Sequence, residues 1–286
     1  MPMRISFFFL FKLAVLLMFL DSMHLWVTWN IPTHYIGVIV FSVMISYVIL
    51  TGVKLRVSFK RGIGAVLLLT AFLLGYNLNN LGSVLGPVFT VLPCLLLLFI
   101  SDSKILIDTF NFIVNFFAVL LPISLLVFSL TFLGLPPVGE ITHFSGLYGS
   151  FDNYLLAFRS GFYYYRFSSV FLEPGHLGMI LSYMLFALRF NFKDVRVIIL
   201  FVASLFTFSL AAYVLIIVGY IFKLLLYREL RFRVVLLGSI SLCLLYLIAV
   251  NFNDGENLLN NHLFARLQPD GEKGFAGNTR SLCLVA

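Results

Sequence analysis

Apolar runs separated by short polar interruptions dominate this chain. They cover Ile5 to Leu20, Tyr35 to Leu50, Ile63 to Tyr76, Val84 to Ile100 and Thr109 to Leu133, and then Phe171 to Leu188, Val197 to Phe222 and Val234 to Val250. A bilayer core of about 30 Å is crossed by roughly 20 apolar residues in a helix. The pattern therefore predicts an all-α, polytopic membrane domain over residues 1–250, with about eight or nine transmembrane segments. The first run leads into Asp21, Met23, His24 and Trp26 with no small-residue cleavage site, so it reads as a first span and not as a signal peptide. An outer loop is expected over residues 134–170, and residues 251–286 read as the start of another.

The run Val197 to Phe222 does not fit one straight crossing. As a helix it measures about 39 Å, generous for one span and too short for two. A single crossing also puts Lys223, Arg228, Arg231 and Arg233 on the outer side, against the rule that lysine and arginine gather inside. The readings are one tilted span or a broken, re-entrant pair of short helices turning near Ser209 to Tyr213. The second requires protein or a water-filled cavity around the turn.

Charge sets the orientation. Lys54, Arg56, Lys60 and Arg61 fix the second polar interruption inside, with Arg4, Lys104, Arg189, Lys193 and Arg196 on the same side. Outside fall Arg159, Arg166, Arg266, Lys273 and Arg280, together with all five histidines. The net charge of +7 is thus a topology signal, which argues against a nucleic-acid partner and for membrane lipids. Trp26 and Trp29 suit an outer interfacial belt. Hydrophobic residues make up 61% of the chain and charged ones 11%, too much apolar surface for one water-soluble core. The three cysteines have no disulfide or zinc spacing.

Candidate chemistry concentrates in RFSSVFLEPGHLG, Arg166 to Gly178. Pro174 suits the first turn of a helix, whose free N–H groups and positive dipole end favour an anion, and Arg166 lies a short segment upstream. Arginine binds phosphate through a planar fork. Glu173, at the N-cap, either acts as a base toward an incoming hydroxyl or neutralises Arg166; His176 either shares that task or sits at the interface. Tyr148, Tyr154, Phe158, Phe162, Tyr163, Tyr164, Tyr165 and Phe167 form an aromatic run that suits either sugar stacking or a membrane interface. Lys12, inside the first run, either snorkels toward the inner face or lines an ion path. There is no Gly-x-Ser-x-Gly turn, Gly-rich phosphate loop or metal-ligand spacing, so no cofactor or metal is expected.

RFSSVFLEPGHLG, followed by LFTFSLAAYVLIIVGY (Leu205 to Tyr220), resembles the Wzy-type polymerases of O-antigen and capsular polysaccharide, within the O-antigen ligase-like membrane proteins. The matched positions are Arg166, Phe171, Glu173 and Pro174 of the Phe-x-Glu-Pro element, and Thr207 and Ser209 of the Thr-x-Ser element. The likeness covers roughly Leu135 to Tyr220. It implies a multi-pass glycosyltransferase of the bacterial inner (cytoplasmic) membrane that polymerises undecaprenyl-diphosphate-linked oligosaccharide repeats on the outer face. Flippase and chain-length-regulator partners would come with that role. It further implies catalytic Arg166, Glu173 and His176, with Arg159, Arg280, Tyr165 and Ser209 binding substrate. Family members usually run longer, so the resemblance leaves two readings, a chain truncated at its C-terminus and inactive, or a shorter chain that keeps the activity. The rival reading is a transporter or flippase for lipid-linked oligosaccharides, and a membrane acyltransferase is third.

Overall fold

Helices occupy the apolar runs among the described residues, because a backbone inside an apolar molecule must satisfy its own N–H and C=O groups. The computed structural model describes residues 2–29, 31–75, 81–142, 150–160, 165–226, 247, 251, 269–270 and 274–275. Among them are eight α-helices and two small antiparallel sheets. The chain forms two compact units. One comprises Met1–Leu120 with Val170–Leu172, the other Leu121–Ser169 with Glu173–Ala286.

The first unit contains α1 (Pro2–Ser22), a 3-10 turn (Trp26–Thr28), α2 (Thr33–Thr51), α3 (Phe59–Gly75), α4 (Leu81–Phe99) and the first part of α5 (Ser103–Thr131). Helix α2 packs on both α1 and α4, and α3 packs on α4. The α1–α2 seam is aromatic, with the Phe11 and Tyr47 rings 4.7 Å apart. The α2–α4 seam depends on Gly37, where a Cβ would come within 2.7 Å of the Phe89 carbonyl oxygen. Only a residue without a side chain lets the two backbones approach that closely.

The end of α4 is capped from outside its own helix. Arg61 Nη1 donates to the carbonyls of Phe99 at 3.0 Å and Ile100 at 2.9 Å. Residues 54–56 pair with 99–101 through Arg56 N to Phe99 O and Ser101 N to Lys54 O, at 2.8 and 3.0 Å. Lys12 Nζ lies 4.4 Å from the centre of the Phe8 ring, one turn toward the N-terminus, and 5.6 Å from that of Phe112. Trp29 departs from the interfacial-belt expectation. It is buried, with its indole N–H donating to His24 O at 2.8 Å.

The second unit begins with the remainder of α5, where Pro122 has no N–H to offer the carbonyl of Ala118. There follow β1 (Gly139–Thr142), β2 (Ser150–Asn153) and β3 (Phe158–Arg159), an antiparallel sheet in sequential order. The all-α expectation missed this sheet: its strands are two to four residues long, too short for a period-two pattern to stand out. Next come α6 (Pro174–Ala187), α7 (Val195–Phe206) and α8 (Leu210–Leu226), with α6 packed on both α7 and α8. Two-residue strands β4 (Pro269–Asp270) and β5 (Gly274–Phe275) pair in the tail.

The run Val197 to Phe222 is two helices, with the break at residues 207–209 and not at Ser209 to Tyr213 as expected. Helix α6 starts at Pro174, three residues later than the apolar run; its 14 residues span about 21 Å, short of a bilayer core. Among the described residues, His34–Thr51 and Ser103–Thr131 are helices long and apolar enough to cross a membrane; α7 and α8 are apolar but shorter. The eighth expected span, Val234 to Val250, lies outside the described residues apart from Leu247.

Asp194 is the N-cap of α7. Its carboxylate accepts from Arg196 N at 3.0 Å and from both Nε and Nη2 of the Arg196 guanidinium, which holds the carboxyl below its ordinary pKa. A depressed carboxylate stabilises the fold fully above its unfolded pKa and loses that contribution as pH falls through the folded value. Asp194→Ala is therefore expected to cost the first turn of α7 about 0.5–2 kcal/mol. Hydrogen exchange should show faster amides at Arg196–Ile198 at neutral pH, and the difference from wild type should vanish in acid below the aspartate range.

Candidate functional site

The first turn of α6 has a sequence built for a helix start. Glu173 is extended (φ −126°, ψ 131°) as N-cap, and Pro174 follows where a missing N–H costs nothing. The Glu173 side chain makes no capping hydrogen bond and is 4% exposed. His176 Nε2 lies 3.7 Å from its Oε2. Glu173 is thus a buried carboxylate with the imidazole of the first turn of α6 alongside. His176 is about one-third exposed, so the pair reaches from the interior to the surface.

The break between α7 and α8 follows from Thr-x-Ser. Thr207 Oγ1 bonds back to Ser204 O at 2.7 Å, while Thr207 N and Phe208 N make tightened bonds three residues back, to Ser204 O and Leu205 O. Phe208 then turns into the left-handed region at φ 44°. Ser209 opens α8, its hydroxyl accepting from Ala212 N at 3.4 Å and its carbonyl from Tyr213 N at 3.1 Å. Tyr213 reaches back across the break to donate its hydroxyl to Leu205 O. Threonine closes one helix and serine starts the next.

These two elements meet. A Cβ at Gly178 would lie 2.7 Å from Thr207 Oγ1, 2.7 Å from Ala212 Cβ and 3.2 Å from Ser209 Cβ, so α6 crosses directly over the break. Ser182 reinforces the crossing, its hydroxyl shared between Gly178 O at 2.7 Å and Ala212 O at 3.1 Å. Arg166 joins from the loop, with Nε donating to Thr207 O at 3.1 Å while its neighbour Phe167 N donates to Phe206 O at 2.9 Å. The Glu-Pro and Thr-x-Ser elements and Arg166 therefore occupy one buried region. Arg166 is 8% exposed, Thr207 0% and Ser209 3%.

Arg159 approaches from β3, in register with Asp152 of β2. It is buried, its Nη1 donates to Thr131 O at the end of α5, and its guanidinium lies 4.5 Å from the centre of the Phe132 ring. Phe132 stacks in turn on Tyr165, 6.1 Å away and nearly parallel. Strand β3 also touches the Arg166 loop, because Phe158 N donates to Ser169 O at 3.1 Å. Ser169 is fully buried at φ 55°, and the hydroxyls of Ser160 and Ser169 have no hydrogen-bond partner among the described residues.

The aromatic run resolves by position. Tyr154, Phe158 and Phe167 are buried core, so neither of the expected roles for them, sugar stacking or membrane interface, holds. Tyr165 is 43% exposed; Tyr148 and residues 162–164 lie outside the described residues, as does Arg280. Sequence reasoning missed Ser160, Ser169 and Gly178. Gly178 carries a readable signal, a glycine one turn into an apolar helix after Glu-Pro; the buried serines carry none.

Gly178→Ala is expected to destabilise the protein by about 1–3 kcal/mol, since neighbours on the break must shift. Gly175→Ala, whose added Cβ would meet only Ser209 Oγ at 3.9 Å, should stay within about 0.5 kcal/mol of wild type. Denaturant unfolding of the detergent-solubilised protein checks both.

The chain matches no protein-family model, no curated protein and no solved structure.

Proposed function

We propose that this chain is a polytopic membrane glycosyltransferase that extends a glycan carried on a polyprenyl diphosphate, of the O-antigen or capsular polymerase kind. The observation that carries the reading is the convergence of Arg166, the Glu173–Gly178 turn and the Thr207–Ser209 break. These are the elements on which the sequence resembles that family, and two of them are charged groups buried among apolar helices. Taking an ionised group out of water costs several kcal/mol even when it is partnered, and that cost supports a task for the two beyond folding.

In the proposed reaction a hydroxyl of the incoming lipid-linked repeat attacks the anomeric carbon of the growing chain. The bond from that carbon to the diphosphate oxygen breaks, and the diphosphate leaves with the electron pair. Arg166, oriented by its bond to Thr207 O, and Arg159 offset the developing negative charge. Glu173 takes the hydroxyl proton, and His176 beside it carries that proton toward solvent. Tyr165 offers an exposed ring face to a sugar, and Arg280 belongs with the substrate-binding group.

A multi-pass inner-membrane setting is part of the proposal. The apolar side chains left exposed on α2, α3 and α5, including Ile49, Leu50, Val66 and Val119, support it. So does the clustering of Lys54, Arg56, Lys60 and Arg61 in one short stretch between apolar helices. The break at residues 207–209 also favours a second reading, a transporter of lipid-linked oligosaccharide, because transporters place broken helices at substrate sites.

Glu173→Gln should lower chain extension by about 10²–10⁴-fold and Arg166→Lys by about 10²–10³-fold. Single lipid-linked repeats should accumulate on the outer face while the protein stays folded by circular dichroism. Normal chain-length ladders from both variants would sink the assignment; repeats retained on the cytoplasmic face would establish the transporter instead. Cysteine labelling should find position 257 on the outer face, and a cytoplasmic residue there would overturn the topology.

A further inference from the structure

The three residues that end α7 offer their carbonyls, in order, to donors from outside that helix. Leu205 O accepts from the Tyr213 hydroxyl, Phe206 O from Phe167 N at 2.9 Å and Thr207 O from Arg166 Nε at 3.1 Å. The last carbonyls of a helix have no partners within it, so these bonds fix where α7 ends. Two of the donors belong to the Arg166 loop. The third comes from α8, eight residues along the chain and across the turn at Phe208.

The sequence explains why Tyr213 makes that reach. Ser209 opens α8 and its carbonyl accepts from Tyr213 N, so Tyr213 stands one turn inside the helix. Long helical side chains lean toward the N-terminus, which carries the phenol back over the break. A phenylalanine would lean the same way and bring no donor. The turn between has need of an anchor. Phe208 holds φ 44°, a conformation that a bulky side chain keeps only when its surroundings impose it. Its amide also donates to Leu205 O, at 3.3 Å, so the phenol and the strained turn share one acceptor. Arg166 lies within electrostatic range of Tyr213.

We propose that Tyr213 is a positioning residue for Arg166 in the chain-extension reaction, an inference that rests on the function proposed above. By holding Leu205 O it sets the direction of Thr207 O two residues on, and Thr207 O orients the Arg166 guanidinium. Tyr213 acts without touching substrate. Catalysis by an oriented charge falls steeply with small misplacement, so removing this hydrogen bond lowers kcat and leaves KM unchanged.

The test uses the full chain in proteoliposomes with lipid-linked repeats, and follows chain extension together with amide hydrogen exchange. Tyr213→Phe keeps the ring and removes the donor; it should lower kcat by about two- to tenfold at unchanged KM. Exchange at the Phe167 and Phe208 amides should quicken in the same variant. Placing 4-aminophenylalanine at position 213 restores a donor, and should return both readings toward wild type. In an Arg166→Lys background, Tyr213→Phe should cost no further activity, because the bond it supports is already gone. Equal fold-losses in the two backgrounds overturn the proposal, as do unchanged exchange at Phe167 and Phe208 or a rise in KM alone. Failure of the 4-aminophenylalanine variant to recover overturns it as well. A wild-type chain that extends nothing sinks the proposed function and this inference with it, in a control that contains no variant, so the two failures are told apart.

Discussion

Helix ends leave carbonyl oxygens that need donors, and at three of the described helices this chain meets the need with arginine. Arg61 serves the end of α4, Arg159 the end of α5 and Arg166 the end of α7. The chemistry suits the place. The last carbonyls of a helix carry the negative end of its dipole, and a guanidinium offers several N–H groups in a fixed plane. A lysine or a water molecule would satisfy fewer acceptors. The positions of the loops at residues 54–61, 158–160 and 165–169 follow from these three attachments.

Two of the three arginines are also the candidate site residues, and this double use makes the proposed mechanism physically economical. A guanidinium brought into an apolar interior to bond an anion alone would be difficult to hold in place. One that already bonds a helix end is oriented before any ligand arrives, and its planar fork keeps a defined direction. The same reasoning explains why Ser169 sits where it does. Its left-handed backbone bends the loop so that its carbonyl meets strand β3 while Arg166, three residues earlier, stays on the break.

Much of this was legible in the amino-acid order. The helix starts and stops at α1, α2 and α4 lie within about three residues of the apolar runs, because in such a chain polar residues gather where the helix ends; α5 starts six residues earlier than its run. Excess length at Val197 to Phe222 signalled a break, and Thr207 and Ser209 supplied the closing and opening residues that place it. What escaped was of two kinds. The sheet β1–β3 is too short to show a period, and it is stabilised by contacts that sequence spacing does not reveal. Trp29, Phe158 and Phe167 were misjudged because an aromatic ring near a helix end suits core and interface equally; burial is decided by what folds over it.

The attachment of the 207–209 break to Arg166 and Phe167 separates the two ends of α7 in their tolerance of length change. The cap at Asp194 is local, formed with a residue two positions away, so it travels with the chain. The bonds at the other end come from some forty residues upstream and fix where the helix must finish. A residue gained or lost in the exposed turn at Asn191–Lys193 would therefore leave the register of the break unchanged, whereas one within α7 would rotate its buried face by about 100°. Insertions and deletions in this part of the molecule have one permissive address, on the side of α7 away from the candidate site.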